Sequence, residues 1–278
     1  MREPRGPGAP SAVHSVRLAP SEPRIRVSLV LRAFASGTVF GERVGEGPAW
    51  VLALHGWGRS YGDFDEVLAP ARSDEAPLDA IALDLPGFGA TPAPPAAWGS
   101  PEYARAVAAV VDEMPGPVVV VGHSLGGRVA VHVAAARPER IAGLVLTAAP
   151  LVRLGGPRRA PRRYRAIRAL ASAGVVGEAR LERARRRHGS DDYRAATGTM
   201  RDVLVTVVGE RYDDVLRSLS CPISLVWGEL DDQTPVGVAE EIARLTGCAA
   251  PVVLEGVGHL VPTQAPAALR AAIAALRP

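Results

Sequence analysis

Six short, largely apolar segments recur along the chain. They comprise residues 50–54, 80–83, 117–121, 141–147, 223–227 and 251–254. A strand that is apolar at every position, rather than at alternate positions, is typically buried on both of its faces. These segments therefore predict the central strands of a parallel sheet that is covered on both sides.

The residues between these segments show helical spacing of apolar side chains. The predicted helices are residues 101–113, 126–136, 236–245 and 265–276. Strands that alternate with amphipathic helices favour an α/β fold, here a mostly parallel sheet with helices on both faces. Residues 25–35 alternate in polarity and predict a further strand at the sheet edge. In such folds, function is sought at the carboxyl ends of the strands.

The alternation is interrupted by residues 153–218, a helix-prone and Arg-rich stretch. A structureless connection of that length is unusual in a compact domain, so we expect an inserted helical lid. Residues 24–152 and 219–278 would then form the core of the α/β fold.

The first 23 residues contain five prolines and little apolar periodicity. This composition predicts a disordered leader. The leader lacks the continuous apolar run of a secretory signal, and no apolar run in the chain reaches the length of a membrane span. We therefore expect a cytoplasmic protein without a membrane span.

Composition narrows the possible partners. All 32 basic residues of this 278-residue chain are arginines spread along its length, and the net charge is only +3. A general nucleic-acid surface is therefore not expected. The two cysteines, Cys221 and Cys248, are too few and too far apart for a disulfide framework or a CxxC metal site.

The segment Gly122-His123-Ser124-Leu125-Gly126-Gly127 follows a run of four valines and precedes a predicted helix. A serine in this position lies on a tight strand-to-helix turn that exposes its hydroxyl. The glycines are needed because side chains there would collide with the neighbouring backbone. Ser124 is therefore predicted to be a nucleophile, and the alternative is a glycine-rich turn that only packs the helix on the strand.

A serine hydroxyl needs a base, and histidine has the suitable basicity. Among the six histidines, His259 directly follows the last predicted strand, at the carboxyl edge of the sheet. His14 lies in the leader, His132 inside a predicted helix and His188 in the lid. His123 adjoins the nucleophile and is expected to point elsewhere. We predict that His259 is the base, with a solvated loop histidine as the alternative.

The base needs a carboxylate that fixes its tautomer and stabilises the imidazolium. The loop after the penultimate strand supplies Asp231, with Asp232 and Glu229 as rivals. We favour Asp231. The resulting order along the chain, Ser124, Asp231 and His259, is the order of the α/β-hydrolase arrangement.

Acyl transfer also needs amide donors for the developing oxyanion. The candidates are the N–H of Leu125 and the N–H of Trp57, which lies in the loop His55-Gly56-Trp57-Gly58. Trp57, Trp98 and Tyr103 are also candidates for lining an apolar acyl pocket. Ordinary packing in the core or at its rim is the alternative for each of these three aromatic residues.

Taken in order, five motifs make the chain resemble the α/β-hydrolase superfamily over about residues 24–278. They are HGWG at 55–58, DLPGFG at 84–89, GHSLGG at 122–127, the loop at 227–235, and Gly258-His259. The resemblance implies the serine-nucleophile branch with a helical lid. Epoxide hydrolases and haloalkane dehalogenases of this fold use an aspartate as the nucleophile, so the serine argues against both classes. It leaves the substrate open, since the scaffold hosts many chemistries.

The leading hypothesis for function is hydrolysis of a carboxylic ester or related acyl bond in a small-molecule substrate. The acyl group would be carried by Ser124 and released by water that His259 activates. This chemistry requires no metal and no organic cofactor. Two alternatives stay open: a carbon–carbon bond hydrolase with the same triad, and a ligand receptor that retains the triad with negligible turnover.

Residues 153–187 hold twelve arginines against Glu178 and Glu182. This basic stretch could attract substrates with a carboxylate or phosphate group. The alternative is a solvated helix face in an Arg-rich protein. Under the first hypothesis, neutralising Arg162 and Arg163 raises KM for an acidic ester selectively.

Overall fold

A nine-stranded sheet forms the centre of the molecule in the computed structural model, which describes residues 14–16, 31–70, 75–155, 169–171, 173–177, 179–180, 183 and 191–278. The strands are β1 His14–Val16, β2 Leu31–Phe34, β3 Val39–Val44, β4 Val51–Leu54, β5 Ala80–Asp84, β6 Val118–His123, β7 Ile141–Thr147, β8 Ile223–Gly228 and β9 Val252–Leu254. Their order across the sheet is β1-β9-β8-β7-β6-β4-β5-β3-β2. Neighbours from β1 to β5 in this order are parallel, whereas β3 pairs antiparallel with β5 and with β2.

Helices cover both faces of this sheet. The helices whose bounds are given by the described residues are α1 Asp65–Leu68, α2 Ser100–Glu113, α3 Leu125–Ala136, α4 Asp191–Ala195, α5 Gly198–Gly209, α6 Asp213–Ser218, α7 Val236–Thr246, α8 Val261–Gln264 and α9 Pro266–Ala274. Buried residues of α2, α3, α5, α6 and α7 form one apolar layer, and those of α1, α8 and α9 belong to the other. The predicted α/β architecture is therefore confirmed.

The central strands are buried on both faces. In β4, Leu52 and Leu54 belong to the layer with α2 and α3, whereas Val51 and Ala53 belong to the layer with α1 and α9. All four residues have no exposed surface. A strand that faces two apolar layers needs an apolar residue at each position, which explains the continuous runs in the sequence.

Some elements differ from the prediction. The predicted edge strand is present at the sheet edge as β2, and residues 25–30 lie outside the described residues. β3 was not predicted, because Glu42 and Arg43 interrupt its apolar residues. The C-terminal helix expected over residues 265–276 is present as α9, Pro266–Ala274, whereas the short α8 that precedes it was not predicted.

The two segments outside the predicted core are described only in part. Residues His14–Val16 pair in parallel with β9, which differs from the disorder expected throughout residues 1–23. Helices α4, α5 and α6 lie within the predicted insertion at residues 153–218. Arg162, Arg163 and His188 lie outside the described residues. Within the described part of the chain, no helix combines the length and apolarity needed to cross a bilayer.

Parallel strands bring several loops to one edge of the sheet. The loops after β4, β5, β6, β8 and β9 all leave from the carboxyl ends of their strands. These loops contain the residues that the sequence analysis selected for chemistry. This is the edge at which ligands bind in open α/β sheets.

Candidate active site

The predicted nucleophile, Ser124, lies between β6 and α3 with a φ of 50° and a ψ of −107°. A non-glycine residue in a sparsely populated backbone region costs about 1–3 kcal/mol, and such residues cluster at functional sites. The Ser124 amide donates to the Thr147 carbonyl at 3.0 Å, and the Gly126 amide donates to the His55 carbonyl at 3.0 Å. The turn is therefore held between β7 and the loop after β4.

His259 and Asp231 form a hydrogen-bonded pair. Nδ1 of His259 lies 3.0 Å from Oδ1 and 2.9 Å from Oδ2 of Asp231. The Asp231 side chain has no exposed surface, whereas 13% of the His259 side chain is exposed. A carboxylate oxygen accepts hydrogen bonds, so Nδ1 of His259 is the donor in this pair and the neutral ring keeps its lone pair on Nε2.

The loop after β8 orients the carboxylate of Asp231. Its Oδ1 also accepts the main-chain amides two and three residues further along, at 3.0 and 2.8 Å. The two rival acids are placed differently: Asp232 is exposed, and Glu229 accepts the amide of Gly256 at 3.1 Å. Of the three acids, Asp231 is the one that the structure places against the His259 ring.

The loops of Ser124 and His259 are joined by a hydrogen bond. His123, which ends β6 and directly precedes Ser124, bonds through Nε2 to the main-chain oxygen of His259 at 2.9 Å. The two imidazole rings have centroids 5.1 Å apart. Ser124, His259 and Asp231 thus lie together at one edge of the sheet. The contact between His123 and the His259 loop was missed by the sequence analysis, which expected His123 to point elsewhere.

The loop after β4 lies alongside Ser124. A Cβ atom built on Gly56 would be 3.3 Å from the Ser124 Cβ. The next residue, Trp57, is half-buried and packs edge to face on Phe88, with ring centroids 5.0 Å apart. Leu125 is the first residue of α3, where the amide has no partner within the helix. Both segments predicted to supply oxyanion donors are therefore adjacent to Ser124.

His55 links the loop after β4 to the loop after β5. Its Nδ1 donates to the Gly56 carbonyl at 2.6 Å, and its Nε2 accepts the Leu85 amide at 3.0 Å. Burial lowers the pKa of His55, which favours the neutral ring that this bonding requires. The Phe88 ring packs edge to face on the imidazole at 5.4 Å. His55 therefore holds the two loops together.

The aromatic residues proposed for an acyl pocket differ in how deeply they are buried. Tyr103 is completely buried, and its hydroxyl donates to the Pro86 carbonyl at 2.9 Å. A side chain without exposed surface is packed within the core, which favours for Tyr103 the packing alternative that the sequence left open. Trp98 packs edge to face on Tyr103 at 5.6 Å and is half-buried at the rim of the core.

Two helices of the predicted insertion, α4 and α5, contain residues that lie near this edge of the sheet. Met200 of α5 contacts the loop after β5, because a Cβ atom built on Gly87 would lie 2.2 Å from the Met200 sulfur. The pKa of Asp192, in α4, is raised by desolvation and by neighbouring Asp191, and His259 opposes this rise. Neither Met200 nor Asp192 was selected from sequence, since helical spacing alone does not show which face of an insertion meets the core.

The cysteines and the acidic side chains supply no metal centre in the described part of the chain. No group of three His, Cys, Asp or Glu residues there could hold a metal ion. Cys221 and Cys248 are both free and half-buried. Burial raises the pKa of the Cys221 thiol, which disfavours the reactive thiolate.

Comparison with known proteins agrees with this architecture. The profile of the Alpha/beta hydrolase family matches residues 51–272. Lipase LipV of Mycobacterium tuberculosis is 36% identical over 212 residues, which make up 71% of this chain and 74% of the lipase. Pimeloyl-(acyl-carrier protein) methyl ester esterase of Chromobacterium violaceum is 40% identical over 110 residues, 40% of each chain.

Solved structures show the same fold. A thermophilic esterase from Thermogutta terrifontis superposes with a TM-score of 0.64 at 22% identity, over 91% of this chain and 100% of the esterase. The thioesterase domain from the curacin biosynthetic pathway gives a TM-score of 0.65 at 21% identity, over 89% of this chain and 99% of the domain. From its profile, its relatives and its fold, the chain belongs to the α/β-hydrolase family.

Proposed function

We propose that this protein is a serine hydrolase that cleaves a carboxylic ester, or a related acyl bond, through an acyl-enzyme on Ser124. The observation that carries the proposal is the pairing of His259 with the buried Asp231 carboxylate, on a loop bonded to the residue that precedes Ser124. A nucleophile, a base and an orienting carboxylate at one sheet edge are the groups that acyl transfer needs.

In the proposed first step, Nε2 of His259 removes the proton from the Ser124 hydroxyl as the oxygen attacks the ester carbonyl. Asp231 stabilises the imidazolium that forms. His259 then donates this proton to the leaving alcohol, and the acyl group remains on Ser124. In the second step, His259 takes a proton from water as the water attacks the acyl-enzyme. It then returns this proton to the Ser124 oxygen as the acyl–oxygen bond breaks and the acid is released.

The negative oxygen that forms in both steps needs hydrogen-bond donors. We assign this role to the amides of Trp57 and Leu125. The close approach of Gly56 to Ser124 supports the first assignment, and the position of Leu125 at the start of α3 supports the second. Donors fixed before the reaction stabilise the developing charge without a reorganisation cost.

The substrate class is a small-molecule ester. The relatives named a lipase and a methyl ester esterase both act on ester bonds, and they favour this class over the cleavage of a carbon–carbon bond. A panel of short esters against vinylogous diketones separates these two activities. We propose that the protein acts in the cytoplasm.

We assign the insertion at residues 153–218 to a lid over the site. Three contacts support this role. Met200 meets the loop after β5, Glu210 accepts the Ser100 amide at 2.8 Å, and Tyr212 bonds to the Ser100 hydroxyl at 2.9 Å. The last two contacts attach the end of the insertion to the start of α2.

The Ser124→Ala variant tests the proposal. It removes the attacking oxygen, so we expect kcat for a short-chain p-nitrophenyl ester to fall by at least about 10⁴-fold. The methyl group of alanine fits wherever the serine side chain fits, so the melting temperature should stay close to that of the wild type. Steady-state kinetics and thermal unfolding measure the two quantities.

Ser218→Ala is the matched control. Ser218 lies exposed in α6, and its hydroxyl donates to the carbonyl of Val215, so this variant should hydrolyse the ester at the wild-type rate. Wild-type turnover by Ser124→Ala would refute the proposed function.

A further inference from the structure

His123 has a hydrogen bond that the proposed reaction does not use. Its Nε2 lies 2.9 Å from the main-chain oxygen of His259. A carbonyl oxygen only accepts, so Nε2 must carry the proton and His123 must be the donor. The side chain is 1% exposed, and the bond is therefore formed away from bulk water.

This bond joins the main chain of the base to the strand of the nucleophile. His123 is the last residue of β6, and Ser124 is attached to it by the next peptide bond. The His259 loop is also held by the Gly258 amide, which donates to Gln264 at 2.8 Å. Gln264 lies in α8, so the bond between Gly258 and Gln264 does not fix the position of His259 relative to β6.

The imidazole of His123 is confined by close packing. A Cβ atom built on Gly56 would lie 2.8 Å from its Nδ1, so residue 56 must lack a side chain for the ring to occupy this place. The His259 ring packs at a centroid distance of 5.1 Å. Among the described residues, Nδ1 has no hydrogen-bond partner. The ring is thus oriented by packing and by the single bond from Nε2.

The His123 ring is a neutral donor at ordinary pH. Burial, and then the proximity of His259, lowers the pKa of His123 to about 4. The hydrogen bond to the His259 carbonyl and the charge of Asp63 favour protonation of His123, and His55 opposes it. The neutral ring therefore donates one hydrogen bond and places no positive charge beside the His259 ring.

We propose that His123 is a positioning residue, which sets the separation of His259 from Ser124 through its hydrogen bond to the His259 carbonyl. The inference rests on the proposed function, because it assumes proton transfer between these two residues. An error of about 1 Å in the placement of reacting groups costs roughly 100-fold in rate. Loss of the bond should therefore lower kcat rather than weaken substrate binding.

Three substitutions test the role of the bond. His123→Leu removes the donor, and His123→Asn provides an amide that is too short to reach the carbonyl. His123→Gln provides an N–H at about the distance of Nε2. We expect kcat to fall about 10- to 100-fold in the Leu and Asn variants with KM within twofold, and to recover to within about fivefold in the Gln variant.

A fluorophosphonate provides a second measurement that does not depend on the choice of ester. It reacts with a serine that a base activates, so its labelling rate at Ser124 should fall and recover in the same order as kcat. Thermal unfolding identifies variants that fail to fold. If the Leu variant does not fold, the comparison of Gln with Asn decides, because both are amides and differ mainly in reach.

His132→Leu is the control for loss of a partly buried imidazole. His132 lies in α3 and packs on the ring of Tyr212 at 5.7 Å, so its removal should leave kcat within twofold. Equal losses in the Gln and Asn variants, or no loss in any, would overturn the positioning role. Failure of the proposed function is a separate result, since it appears as undiminished turnover by Ser124→Ala.

Discussion

The Asp231 carboxylate is held by its own loop as well as by His259. Asp231→Asn keeps the size of the side chain but replaces one acceptor oxygen with an N–H₂ group, which favours the wrong tautomer of His259. We expect kcat for an ester to fall about 10³- to 10⁴-fold, as measured by steady-state kinetics.

Asp232→Asn is the matched control for this change, because Asp232 is exposed on the same loop. It should keep kcat within twofold of the wild type. Equal losses in the two variants would contradict the assignment of Asp231.

At the scale of single residues, the sequence predicts Ser124, Asp231 and His259 but does not show what surrounds their side chains. The flanking glycines predict Ser124, and the position after the last strand predicts His259. The choice of Asp231 over Asp232 depends on which side chain turns inward, and adjacent positions in a loop do not show this. The bond from His123 to His259 joins residues 136 positions apart, so local sequence patterns do not indicate it.

At the scale of elements, the close approach of α3 to β4 holds the turn at Ser124 in place. A Cβ atom built on Gly126 would lie 2.0 Å from the Leu54 carbonyl oxygen. In Gly126→Ala the helix must move away from the strand, and overpacking of this kind costs about 1–3 kcal/mol or more. We expect a fall in melting temperature of several degrees, as measured by calorimetry, together with loss of ester turnover.

Gly116→Ala is the control for this prediction, since a Cβ atom there would have no atom within 4 Å. It should change the melting temperature by less than about 2 °C. A Gly126→Ala variant with wild-type stability and turnover would show that α3 can shift without consequence.

Elements with a strong apolar pattern could be predicted, and those that depend on their neighbours could not. The runs in β4 and β6 are apolar because both faces are covered. β3 carries Glu42 and Arg43 and takes its place by pairing with β2 and β5, so its own sequence is ambiguous. Helix α1 has only four residues, too few for a helical period to appear.

At the scale of the whole molecule, buried neutral histidines link stability to pH. Burial lowers the pKa of both His55 and His123 from an ordinary value of 6.5, to about 4 for His123. The unfolded chain therefore binds protons at a pH where the folded protein does not. The stability that these groups contribute is fully present above pH 6.5 and is lost as the pH falls towards 4.

We expect the free energy of unfolding, measured with urea, to decrease between pH 6.5 and pH 4. His123→Gln removes one of the two groups, so the decrease should be smaller in this variant than in the wild type. An identical pH dependence in both proteins would contradict the assignment of a buried neutral ring at position 123.

The overall architecture could be predicted because the order of strands, helices and motifs satisfies the rules of one fold. The contacts of the predicted insertion with the core could not be predicted, because the contacting residues lie far apart in sequence. Met200 meets Gly87 and Glu210 meets Ser100 across more than a hundred positions. Neither contact leaves a periodic signal in the chain.

The central claim is that an acyl group passes through Ser124. Wild-type protein mixed with a p-nitrophenyl ester and quenched in acid within milliseconds should carry one acyl group, which peptide mass spectrometry locates on Ser124. In samples quenched after the ester has been consumed, the acyl group should be lost from Ser124 with the rate constant of steady-state turnover. An adduct on another residue, or turnover without any adduct on Ser124 even when deacylation limits the rate, would contradict the account.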